Sequence, residues 1–242
     1  MAVFNHYPPR QTKWASVDTE QAVFDTGLRQ HMLRIYNFMV MGLAVTGIVA
    51  ALIAGSPTLT AIIFGSPLKW IAMLAPLLFI FVLSWHFNRL SVSALQILFW
   101  VFCGVMGLSM ASVFLVFTGT SIARVFFITA ATFSGVSLYG YTTQADLSRM
   151  GSFLFMGLLG IIIAGIVNLF LASSALHFAL SVMGVLVFTG LTAYDTQRVK
   201  EEYAEYHGYE TNGKLAIMGA LSLYLNFVNL FQMLLQILGN RE

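Results

Sequence analysis

A chain of 242 residues, 58% of them hydrophobic and only 9% charged, is too apolar for a soluble domain, in which about a quarter of residues carry charge. Its formal net charge of +2 points to no nucleic-acid partner, and a single cysteine, Cys103, excludes a disulfide framework. These figures predict an all-α integral membrane protein, one bundle rather than two domains, with the lipid bilayer as its surroundings.

Residues 1–30 are polar, with Pro8, Pro9, Asp18, Glu20 and Asp25, and lack the early apolar core of a signal peptide. They are expected to form a cytoplasmic tail, mobile over 1–20. A short surface helix is expected from Thr19, capped by Asp18 or Thr19. Residues 31–242 are expected to form a single transmembrane domain. A span needs roughly 20 apolar residues, and seven stretches qualify, near 33–54, 69–87, 92–117, 122–142, 151–172, 175–195 and 215–238. Gly55-Ser56-Pro57 and Gly65-Ser66-Pro67 bound the first outer loop, and Asn88-Arg89 and Gly119-Thr120 mark tight turns. Residues 144–149 form the next polar link, and Ser173-Ser174 is a faint break. Trp70 and Trp85 flank the second span as interface anchors would, whereas Trp100 and Cys103 read as packing residues. Gly107/Ala111 and Gly160/Ala164 have the small-xxx-small spacing of close helix contacts, read first as packing within the bundle.

Basic residues orient the spans. With the N-terminus inside, Arg10, Lys13, Arg29, Arg34, Arg89, Arg149, Arg198, Lys200 and Lys214 fall on the cytoplasmic side. Only Lys69, Arg124 and Arg241 fall outside. An odd number of spans then puts the C-terminus outside.

Of the acids, Asp195 alone is attached to an apolar span. A buried carboxylate there costs several kcal/mol and by default marks function. The alternative is that Asp195 reaches the interface and pairs with Arg198. The helix is expected to run on past Asp195, because a carboxylate at its end would face the negative pole of the dipole, and to stop at Gly208. In the seventh span, Ser222, Asn226, Asn229, Gln232 and Gln236 fall within roughly a third of the helix circumference, bordered by Gly219. Such a stripe cannot face lipid, so this helix is expected to be central. Its amides either bond neighbouring helices or line a pathway. Asn168, Thr129, Thr132, Ser134 and Ser137 are weaker signals, since hydroxyls can bond their own helix.

The same residues argue against several chemistries. No lysine lies inside the last span for a Schiff base. No second aspartate follows in a Gly-x-Gly-Asp motif, no Gly-x-Ser-Gly is present, and the histidines lack zinc spacing. No catalytic residue, cofactor or enzymatic activity is expected.

The stretches GLRQHMLRIYNFM (27–39), LYGYTTQADLSRMG (138–151), GLTAYDTQRVK (190–200) and GALSLYLNFVNLF (219–231) resemble the Bax inhibitor-1 family, in its bacterial inner-membrane branch. The resemblance spans roughly 27–242. It implies seven transmembrane helices with the last helix central, and a pH-sensitive calcium leak gated by two aspartates that share a proton. One lies at the position of Asp195. The other belongs to a Leu-Tyr-Leu-Asp-Phe pattern that here reads Leu223-Tyr224-Leu225-Asn226-Phe227, so the second aspartate is replaced by Asn226. Arg89 matches a latch arginine. A pair of carboxylates cannot both ionise cheaply, and a single acid implies a one-proton sensor set to lower pH. Calcium takes six to eight oxygens, so Asp195 with an amide implies weak, transient binding. These span limits leave a tension. Asn226 lies roughly 18 Å into its helix, while Asp195 sits near the surface. The resemblance equally allows a non-conducting regulator that binds a membrane protease or another membrane complex, with residues 1–20 as its handle.

The basic asymmetry yields a labelling test. In a Cys103→Ser background, a cysteine in 55–67 is expected to react with an impermeant reagent from outside, and one in 204–212 is not; the reverse pattern overturns the orientation.

Overall fold

The computed structural model describes residues 13–86, 89–204 and 208–241, with the side chains of 13–25, Ser84, His86 and Tyr209 left aside. Eight helices follow in order: α1 (Lys13–Ala54), α2 (Pro57–Phe64), α3 (Leu68–His86), α4 (Val92–Phe114), α5 (Gly119–Thr142), α6 (Ser148–Leu171), α7 (Ser174–Glu201) and α8 (Gly208–Leu238). Six are long and apolar enough to cross a membrane, and the bent pair α2–α3 supplies a seventh if counted as one span. The chain is an all-α integral membrane protein.

The breaks have local causes. Ser56, Ser91, Thr118 and Ser173 cap α2, α4, α5 and α7, each side-chain oxygen accepting from the backbone N–H three residues on. The faint break at Ser173-Ser174 is a tight hairpin. Ala172 turns left-handed at φ 48°, and the Asn168 side chain accepts from Ser173 N at 3.1 Å.

Four sequence expectations need correction. No separate surface helix starts at Thr19: α1 is one helix of 42 residues, and the expected tail–domain boundary at 30/31 falls inside it, beside buried Leu28, His31 and Met32. Of the tail expected over 1–30, residues 1–12 lie outside the described residues. The loop over 55–67 contains α2, bent 81° from α3; Pro57 in its first turn suits a helix start. Gly208 does not end α7, whose last cap is Glu202. It opens α8 instead, at φ 72°. Lastly, α8 begins at Gly208 rather than near 215, while α7 runs on past Asp195, as expected, to Glu201. Both helices extend beyond the apolar region, and that removes the apparent depth mismatch between Asp195 and Asn226.

In lipid there is little hydrophobic drive between helices, so close packing and hydrogen bonds hold the bundle. The last helix is central. It packs on α1, α4, α5 and α7, while α3 leans on α4 and α6 on α7. Tyr224 on α8 is fully buried between Phe99 and Phe102. Its hydroxyl pairs with Thr46 Oγ1 at 2.6 Å, and Thr46 donates to the Cys103 carbonyl at 3.0 Å, which ties α8, α1 and α4 together. Cys103 is buried and free, and Trp100 stacks near Phe38 and Phe99; both are packing residues. Trp70 and Trp85 are exposed at the ends of α3. Gly107 lets α4 approach α1, since a β-carbon there would sit 2.7 Å from the Thr46 carbonyl oxygen. Gly160, by contrast, has open space around it.

Gly140 brings α5 against α7: a β-carbon there would strike the Ala193 backbone. Gly140→Ala is expected to lower stability by about 1–3 kcal/mol, the usual cost of overpacking, whereas Gly135→Ala, in open space, leaves the melting temperature in detergent unchanged.

Candidate functional site

Three consecutive residues of α7 point three ways, because each step turns the helix by about 100°. Asp195 meets α8: its Oδ2 accepts from Asn226 Nδ2 at 2.7 Å and from Ser222 Oγ at 2.8 Å. Thr196 meets α5, with Ser137 Oγ at 3.0 Å and, beyond it, Tyr36 OH at 2.6 Å from Ser137. Gln197 ties down the α5–α6 link, donating to the Ala145 carbonyl at 2.8 Å and accepting from Leu147 N at 2.9 Å. Lys200 donates to the Tyr141 carbonyl at 2.8 Å.

Asp195 is buried, with 8% of its side chain exposed. Its Oδ1 meets Arg198 Nη2 at 3.1 Å, and the same nitrogen donates to Ser222 Oγ at 3.2 Å. Ser222 therefore accepts from the cation and donates to the anion. Arg198 Nε lies 3.5 Å from Glu202 Oε1. One arginine bridges two carboxylates, three residues before it and four after, and Asp195 is at once paired with Arg198 and buried against α8. Burial first, and then the charge of Asp195, raise the Glu202 carboxyl above the usual glutamate range, with Arg198 pulling it down.

A cavity of about 1230 Å³ opens beside this group. It lies where α3 and α4 face α6 and α7 across α8, and Pro76 of α3 and Met110 of α4 are among its walls. Ser222, Asn226, Asn229, Gln232 and Gln236 all line it, so the polar stripe faces a cleft. Asn229 donates to its own helix at the Leu225 carbonyl, and Gln232 to Met110 Sδ. At the far end Gln236 Oε1 accepts from Arg241 at 3.1 Å and lies 3.0 Å from His177 Nε2. Asp195 is the one carboxylate among the lining residues. Elsewhere, Thr129 and Thr132 bond their own helix, and Ser134 lines a different groove.

Arg89 is not part of the cluster. It is exposed in the turn between α3 and α4, and the cation on Asp195 is Arg198. Sequence reasoning missed Glu202 and Gln197. The i, i+4 spacing of Arg198 and Glu202 was the available signal for the first; for Gln197 there was none.

Residues 28–242 match the family described as inhibitor of apoptosis-promoting Bax1. The chain belongs to the Bax inhibitor-1 family. An uncharacterized protein of Rickettsia prowazekii is 45% identical over 231 residues, covering 96% of this chain and 98% of the relative. The inner membrane protein YbhL of Escherichia coli is 43% identical over 219 residues, covering 89% and 94%. An uncharacterized membrane protein of Streptococcus pyogenes is 32% identical over 221 residues, covering 90% and 96%. In this Bax inhibitor-1 protein the site is an acid–amide–arginine cluster at one end of a polar cleft.

Asn226→Asp probes the geometry directly. At 2.7 Å from Asp195, a second carboxylate must share one proton with the first. Raising the pH removes that proton, so the variant is expected to melt lower at neutral pH than in mild acid, and by more than the parent does. Parallel melting curves would separate the two side chains.

Proposed function

We propose that the protein is a pH-sensitive cation leak of the bacterial inner membrane, calcium-permeable, with its N-terminus cytoplasmic and its C-terminus outside. The observation that carries this reading is the cleft along α8, lined from Asp195 to Gln236 by side-chain oxygens. A lone carboxylate with amide and hydroxyl oxygens suits a calcium ion in transit better than one in storage, because tight sites supply several charged oxygens. Arg198 closes the inner mouth by occupying the carboxylate that a cation would need. The protein holds no catalytic residues in this reading and needs no cofactor.

The family resemblance implies two gate aspartates with a shared proton as the sensor. Here Asn226 supplies a neutral donor, and Glu202 takes the second acid's part. Its raised carboxyl accepts a proton earlier than an ordinary glutamate as pH falls, and Arg198 then loses one of its two anchors. The measurement is calcium-dye flux into liposomes scanned from about pH 5 to 8, on the alkaline side of an unperturbed glutamate. Asp195→Asn is expected to lower flux and Arg198→Gln to raise it, each by about fivefold or more, the factor that about 1 kcal/mol of attraction is worth. Glu202→Gln is expected to flatten the pH response. Unchanged flux in all three, with the proteins folded, removes the gate from Asp195. A non-conducting regulator that docks a membrane protease or another complex through its tail would instead lose its role on deletion of residues 1–12, a change that leaves a leak intact.

A further inference from the structure

A second cavity, of about 630 Å³, lies between α1 and α5, a size within the range of about 300–1,000 Å³ common to small-ligand sites. The two helices make no extended contact. They are joined across the groove by the 2.6 Å bond from Tyr36 OH to Ser137 Oγ. Both walls belong to membrane-crossing stretches. Leu33, Val40 and Leu138 at the rim are 52%, 58% and 63% exposed, so the groove opens sideways into the hydrocarbon. Its polar features gather toward the basic end of the bundle. Exposed Arg29 lines it there, and the ammonium of Lys200 lies 2.8 Å from the carbonyl of Tyr141, another lining residue. Among the described residues no acidic side chain lines it.

We propose that this groove holds one anionic glycerophospholipid, an acyl chain between α1 and α5 and its phosphate at Arg29. Charge selects this occupant. A zwitterionic lipid gives the apolar walls the same chain but carries no net charge for the cationic end, and basic residues at membrane depth favour anionic headgroups. The groove is separate from the cleft along α8, and the inference does not rest on the leak.

Native mass spectrometry of the detergent-solubilised protein, titrated with phosphatidylglycerol or phosphatidylcholine, tests it. One phosphatidylglycerol is expected to be retained in preference to phosphatidylcholine. Arg29→Gln is expected to weaken that retention about fivefold, the worth of one basic contact to an anionic headgroup. Ser134→Phe, an exposed position on the groove wall, blocks the chain and abolishes retention, whereas Arg149→Gln, exposed on α6, leaves it unchanged. Equal retention of the two lipids overturns the proposal, as does a loss with Arg149→Gln matching that with Arg29→Gln. Disulfide dimers formed by cysteines placed at Val40 and Leu138, with lipid retention unaffected by Ser134→Phe, would assign the groove to a second copy and overturn it too.

Discussion

The carboxylate of Asp195 sets the constraint from which the bundle follows. An ionised group at membrane depth is tolerated only where neighbours supply donors, and here the donors come from the middle of another helix. Asn226 and Ser222 lie four residues apart on α8, so one face of that helix must meet α7 at this depth. The same face continues as Asn229, Gln232 and Gln236, which lipid would not accept. Burying the stripe forces α8 to the centre, with α1, α4, α5 and α7 against it. The polar side remains a cleft because α3 and α6 face it without closing on it.

The opposite side of α8 shows the complementary solution. Tyr224, like Asn226, is buried, but it sits among aromatic rings and needs one partner, which Thr46 provides at 2.6 Å. One helix therefore carries a dry face held by packing and a wet face held by donors. A charge on the dry face would have no partner, and a leucine on the wet face would leave Asp195 short of one.

Much of this was legible in the sequence, for reasons of periodicity. The stripe at Ser222, Asn226, Asn229, Gln232 and Gln236 needs only a 3.6-residue repeat to be recognised, and lipid's intolerance of amides then places the helix. Asp195 stood out because charge is scarce. Helix ends were harder. The expected stop at Gly208 was correct in recognising a glycine that must turn but not in its side: its positive φ opens α8. The single 42-residue α1 was hidden because a polar helix continuing out of an apolar one has no composition change that differs from a tail. Arg89 against Arg198 shows the remaining limit. The spacing offered Arg198 and the family resemblance offered Arg89, and the fold decides between them by placing Arg198 on the carboxylate and Arg89 exposed in a turn.

The packing also constrains how a gate here could move. Asp195, Thr196 and Gln197 are fastened to α8, α5 and the α5–α6 link respectively. Rotating α7 enough to withdraw Asp195 would break all three attachments together, and Gly140 leaves no slack where α5 touches Ala193. Arg198 is the freer part. Its side chain is 40% exposed, and it already spans Asp195 and Glu202. Moving it costs the ion pair to Asp195 and the hydrogen bond to Ser222, and no helix packing. A side-chain swing between two acids, on a helix that stays in place, is therefore the motion of lowest cost that would free Asp195, already on the cleft wall, from its cation.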